Sequence, residues 1–139
     1  MDKPVWSFES SIHLTINQIE KVLFNIKEGV FTHNLPFILS DKTACSIKFN
    51  GDRYIISFED GHREYIDVDK SNHVLRIQGQ WWYKGVYSFQ QLGNKTLIRL
   101  NVFNIAEKFR WAAAIMILPE KQKHQMAFDA FIDRLKTII

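Results

Sequence analysis

Cysteine is almost absent from this chain of 139 residues. Cys45 stands alone, which excludes an intrachain disulfide and a thiolate zinc site. Six glycines and three prolines are too few for a collagen-like or linker composition. The longest unbroken apolar run, 111–118, falls far short of the ~20 residues a membrane-spanning helix needs. The opening MDKPVWSFES lacks the apolar stretch of a secretory leader, so a cytoplasmic location is expected and Asn94-Lys95-Thr96 reads as a turn. Charge of one sign is scarce too: 18 basic and 15 acidic residues leave a net +3. The densest basic cluster, Lys121, Lys123 and His124, reads as the solvated start of a helix, so no nucleic-acid partner is expected.

Catalytic signatures are missing as well. The histidines at 13, 33, 62, 73 and 124 show no metal-ligand spacing such as H-x-x-x-H. No G-x-S-x-G elbow and no glycine-rich phosphate loop occur. No catalytic residue, metal or cofactor is therefore assigned. Cys45 is expected on the inner face of a strand, as an inert small hydrophobe.

What the chain does have is pattern. Residues 5–14 alternate, with Trp6, Phe8, Ile12 and Leu14 on one face, as in a half-buried strand. Thr15 and Gln18 form a capping-box pair, followed by Ile16, Ile19, Leu23 and Ile26 at helical spacing. Gly29 is expected to end that helix. Residues 30–39, interrupted by Pro36, read as a short second helix or a structured connection. Hairpin dipeptides at Asn50-Gly51, Asp60-Gly61 and Gly93-Asn94 then separate strands at 43–49, 53–59, 62–68, 74–83, 86–91 and 96–106, with a turn at Gly85.

Alternation assigns inner faces to Cys45, Ile47 and Phe49, then Tyr54, Ile56 and Phe58. Leu75, Ile77, Trp81 and Tyr83 follow, then Tyr87 and Phe89, and finally Ile98, Leu100 and Val102. Trp82 would face outward beside Lys84, as a partner contact or under a covering segment. One wet and one dry face mark an antiparallel sheet covered on one side. Pro119 suits the first turn of a last helix, whose dry stripe is Phe128, Phe131, Leu135 and Ile138. The apolar stretch 109–118 has no polar face. Exposed apolar patches are rare on monomers, so its burial within the chain is expected. The sum is one α+β domain spanning 1–139, a seven-stranded antiparallel sheet curved around a long C-terminal helix, with one or two short helices after the first strand.

The segments WSFESSIHLTINQIEKVLFNI, GQWWYKGVYSFQQLGNKTLIRLNVFNIA and HQMAFDAFIDRLKTII, in this order, resemble the helix-grip fold of the START/Bet v 1-like superfamily, which includes polyketide cyclases and lipid-transfer domains. The resemblance covers nearly the whole chain and rests on element order. It implies a small hydrophobic ligand, such as a lipid, isoprenoid or polyketide, held between sheet and last helix. The residues expected to line that site are Tyr54, Phe58, Ile77, Trp81, Tyr83, Tyr87, Phe89, Ile98, Leu100, Phe128, Phe131 and Leu135. Two other readings stand beside it. One is a cyclase- or aromatase-type enzyme using Glu64, Asn104 and Tyr83. The other is an interaction module in which 109–118 and Trp82 meet a membrane surface or a second subunit in a homodimer.

Overall fold

The computed structural model describes residues 3–39 and 42–138. In β1 (Trp6–Ile12) the side chains of Trp6, Phe8 and Ile12 are buried and Ser7, Glu9 and Ser11 exposed, as a period of two requires. The chain then enters α1 (Ile16–Leu23) through the expected capping box. Gln18 N–H donates to Thr15 Oγ1 at 3.2 Å and Thr15 N–H to Gln18 Oε1 at 2.8 Å, satisfying groups that a helix start leaves open. Ile19 and Leu23, four residues apart, bury the inner face.

The following elements are β2 (Gly29–Phe31), a 3-10 turn at Phe37–Leu39 just after Pro36, and β3 (Cys45–Phe49). Then come β4 (Tyr54–Phe58), β5 (Arg63–Asp69), β6 (Val74–Gln78), β7 (Tyr83–Leu92) and β8 (Lys95–Asn104). The chain closes with α2 (Arg110–Ile117), a 3-10 turn at Leu118–Glu120 and α3 (Lys121–Leu135). All strands pair antiparallel in one sheet of order β1-β8-β7-β6-β5-β4-β3-β2. The first strand thus lies beside the last. α1 and the segment after it carry the chain to the opposite edge.

Three expectations about the elements are corrected, together with the faces assigned to Trp81, Trp82 and Phe49. The sheet has eight strands rather than seven, because Gly29 does not terminate a helix. Its φ of +145° bends the backbone, and Gly29–Phe31 pairs with Cys45–Ile47 as a short edge strand. The β6–β7 turn lies at 79–82, not at Gly85. Gly79 N–H donates to the Tyr83 carbonyl at 2.9 Å to close it, and Gly85 sits inside β7 opposite Ile77 and Val102. A Cβ there would come within 2.5 Å of Tyr83 Oη and 3.1 Å of its Cζ, so this glycine seats the Tyr83 ring rather than making a turn. Since Trp81 and Trp82 lie in the turn, strand alternation does not govern them: Trp81 faces outward and Trp82 is half-buried, the reverse of expectation. Phe49 is also exposed, resting on Tyr54 at 4.8 Å.

The third correction concerns 109–118. It is helical, running through Pro119 into α3 as helical backbone over residues 110–135, but only Ala113 and Ile117 of α2 are buried. α3 itself behaves as its stripe requires. Phe128, Phe131, Ile132 and Leu135 are buried. Phe128 stacks on Phe8 at 5.9 Å, and Phe131 meets Tyr87 at 5.2 Å. Each such aromatic contributes about 1.5–3 kcal/mol by burial, which is what holds the helix on the sheet.

Candidate functional site

A cavity of about 460 Å³ opens between α3 and the inner face of β5–β8. Under the last turn of α3, Leu135 and Ile98 are fully buried, and Phe89 packs on Phe24 behind α1 at 6.1 Å; there the space is filled. Farther up the helix, the space opens, with the exposed Ala127 at its edge. Ile77, Tyr87 and Leu100 form the floor, and Phe128 and Phe131 the roof.

Polar groups gather in the same walls. Glu64 points inward from β5 and is buried, with His62 Nε2 at 3.2 Å and Lys42 Nζ at 3.9 Å from its Oε2. Residues 62 and 64 share a face because they are two apart on an extended chain. Burial, with Glu64's charge adding to it, pushes the Tyr83 phenol up to about 12. The same two causes, in the same order, push the Cys45 thiol up, which keeps it protonated and unreactive. His124 sits among Trp6, Tyr83 and Trp82, with ring centroids at 4.8, 5.8 and 6.0 Å. Burial lowers its pKa, against the opposing pull of Glu120 and with smaller help from Lys123 and Lys42. Arg134 Nη1 donates to the Phe37 carbonyl at 3.2 Å, its guanidinium 5.0 Å from the Phe37 ring.

Six of the expected lining residues meet in this cavity: Ile77, Tyr83, Tyr87, Leu100, Phe128 and Phe131. The others lie elsewhere. Phe89, Ile98 and Leu135 belong to the filled core. Phe58 stacks on His62 at 5.5 Å, outside the lining. Tyr54 packs on Phe49 near the β3–β4 hairpin, and Trp81 faces solvent. Asn104 is no cavity residue either. Its Oδ1 accepts from Ala106 N–H at 3.1 Å and its Nδ2 donates to the Arg110 carbonyl at 3.4 Å, pinning β8 to the start of α2. Sequence reasoning missed Trp82, His124 and the His62–Lys42 partners of Glu64. His124 was within reach, since it precedes Phe128 and Phe131 by four and seven residues on one helical face.

A second hollow, of about 610 Å³, lies between α1 and the 31–37 connection. Leu14, Val22, Phe31, Leu35, Phe37 and Ile138 line it beneath a rim of Gln18, Lys21, Asn25, Lys27 and Asn34, and none of the expected site residues is among them. The aromatic walls and the buried carboxylate converge under α3 instead.

No family model matches the chain, and no curated protein matches it. Among solved structures it is similar to the crystal structure of TTHA0849 from Thermus thermophilus, with 14% identity, 94% of this chain and 92% of that one covered, and a TM-score of 0.51. It is similar too to the solution NMR structure of the Polyketide_cyc-like protein Cgl2372 from Corynebacterium glutamicum, with 17% identity, 98% and 89% covered, and a TM-score of 0.50. At such identities the likeness is one of architecture: the chain has the α+β helix-grip fold of polyketide-cyclase-like proteins, the fold that its resemblance to the START/Bet v 1-like superfamily implied.

Proposed function

We propose that the protein binds a small hydrophobic molecule, such as a lipid or polyketide, in the cavity beneath α3, and carries or sequesters it. One observation supports this above others: about 460 Å³ of space lies between the apolar inner face of the sheet and the aromatic stripe of α3, which elsewhere pack closely. The space opens to solvent past the exposed Lys42, Lys123 and Ala127, and its apolar walls release water to a guest favourably. A chain that keeps this space fills it with water or with a guest. Phe128, Phe131, Tyr87 and Trp82 offer flat apolar walls. Glu64, with His62 and Lys42 beside it, and Arg134, Lys123 and His124 along α3 provide polar groups that orient a ligand.

Titration with cis-parinaric acid tests the reading. A saturable, equimolar rise in its fluorescence is expected, weakened at least ~tenfold by Ala127→Trp, which plugs the cavity mouth, in keeping with the dependence of affinity on a well-filled pocket. Equal affinity of both proteins, or no binding joined to a native mass spectrum without any co-purified guest, would overturn it.

The contact of Glu64 with His62 in a wall shared with Tyr83 favours a second reading, a cyclase- or aromatase-type enzyme. A buried carboxylate beside an imidazole is suited to taking a proton from a bound poly-β-carbonyl chain and returning it. In that case Glu64→Gln abolishes turnover while leaving parinaric acid binding intact; unchanged turnover removes the role.

A further inference from the structure

α2 carries an apolar face that no described residue covers. Helical spacing puts Ala113 and Ile117 on one side, where they are buried, and Trp111, Ile115 and Leu118 on the other. Trp111 is 70% exposed, Leu118 74%, Ile115 and Met116 61% each, and Phe109, at the N-cap, 68%. The β6–β7 turn extends the patch, since Trp81 donates from Nε1 to the Lys108 carbonyl at 3.0 Å and is held beside it. At roughly 130 Å² per side chain, Trp111, Ile115 and Leu118 show about 390 Å² on one face, the size of the largest patch on an ordinary monomer, which is often functional. Phe109 also adopts a left-handed φ of +55°, a conformation a bulky side chain disfavours, and does so with its ring in water.

The charge around the patch distinguishes its occupants. No ionisable side chain falls within 111–119, and the rim carries Lys108, Arg110, Lys121 and Lys123 against Glu107 and Glu120. Lys123 and Glu120 pair with each other at 3.7 Å and Arg110 has a partner of its own, so the basic balance of the rim rests on Lys108 and Lys121 against Glu107. In a two-fold dimer this face would meet its own copy, setting basic rim against basic rim. A surface of anionic lipids is attracted by the same surplus, and Trp and Phe settle at the headgroup level. Among the described residues no helix is long and apolar enough to cross a membrane. α2, about 12 Å long at 1.5 Å per residue, suits lying in the interface plane.

We propose that α2, Phe109 and Trp81 form a docking face that seats the protein on a membrane surface bearing anionic lipids. Trp81 and Trp82 join this face to the cavity: the first belongs to the patch and the second lines the cavity wall. Docking therefore brings the cavity mouth toward the lipid. The proposal does not depend on what the cavity holds.

Co-sedimentation with phosphatidylcholine vesicles, with and without phosphatidylglycerol, tests it. The wild-type chain is expected to pellet with the phosphatidylglycerol vesicles, less so as salt is raised. The triple variant Trp111→Ser/Ile115→Ser/Leu118→Ser should lose at least ~tenfold in partitioning, since each side chain removed contributes apolar area to insertion. Lys108→Glu/Lys121→Glu should lose the preference for the anionic vesicles. A readout free of multiple substitution is quenching by brominated lipid, expected in the wild-type chain and reduced in Trp111→Phe. The proposal is overturned if the wild-type chain stays in the supernatant with both vesicles, or if the triple variant binds as well as wild type. It is equally overturned if sedimentation equilibrium finds a dimer that the triple variant dissolves.

Discussion

Tyr83 shows how much one side chain settles. Its ring occupies the space that a side chain at Gly85 would take, and it lines the cavity beside Glu64. Burial first, and Glu64's charge second, raise its phenol to about 12 from 10.0. The sign of the linkage follows from the direction. An acid whose pKa is raised by folding contributes stability that is complete below pH 10 and lost as pH climbs toward 12. At ~1.4 kcal/mol per unit, and with part of the ring edge meeting water in the cavity, the loss is about 2 kcal/mol. Denaturant unfolding at pH 9 and pH 11.5 should show that loss in wild type and a smaller one in Tyr83→Phe. Ultraviolet difference titration of wild type against Tyr83→Phe should show a tyrosine step near pH 12 that the variant lacks. At this scale the sequence is half-legible. Alternation correctly turned Ile77, Tyr87 and Leu100 inward, but it says which face a residue takes and not how far along the strand the layers part. Phe89 and Ile98 share the inner face with Tyr87 and Leu100 and are buried in core, because α1 and the end of α3 cover them.

Among the elements, those with a local physical cause were readable and those with a tertiary cause were not. The capping box of α1 was visible as Thr15 and Gln18, and the structure forms it. Thr15→Ala should destabilise the protein by about 1 kcal/mol, read as a lower urea midpoint with an unchanged m-value. Thr15→Asn, which restores an acceptor, should recover most of it. An unchanged midpoint in Thr15→Ala would show that Gln91, whose Oε1 accepts from Ile16 N–H at 2.9 Å, holds the helix start by itself. The β6–β7 turn was misplaced for the opposite reason. Gly79 and Gly85 look alike as turn residues, and what separates them is a ring packed on the second. Likewise β2, only three residues long, has no alternation to detect and exists through its pairing with β3. For α2 the prior that apolar runs bury themselves gave the wrong side. The helix continues into α3, and its geometry lets Ala113 and Ile117 alone reach the body of the protein.

For the molecule as a whole, the consequence of an unfilled interior is thermodynamic. A guest that binds only the folded chain adds RT ln(1 + [L]/Kd) to its stability, about 2.7 kcal/mol at a hundredfold excess over Kd. For a domain of this size each kcal/mol moves Tm by roughly 3–5 °C, so a saturating ligand should raise Tm by about 10 °C. Parinaric acid is expected to do so for wild type and to leave Ala127→Trp unmoved. The ligand-free Tm of that variant should stay within a few degrees of wild type, because an indole at the mouth replaces water rather than packed side chains. The comparison also separates the two apolar surfaces. Were the probe held on the exposed face of α2, the plug at Ala127 would not interfere, and the Tm of Ala127→Trp would rise with ligand just as wild type does. A shift confined to the open-cavity protein therefore assigns the stabilisation to the space between sheet and helix, where Phe128 and Phe131 face Tyr87 and Leu100.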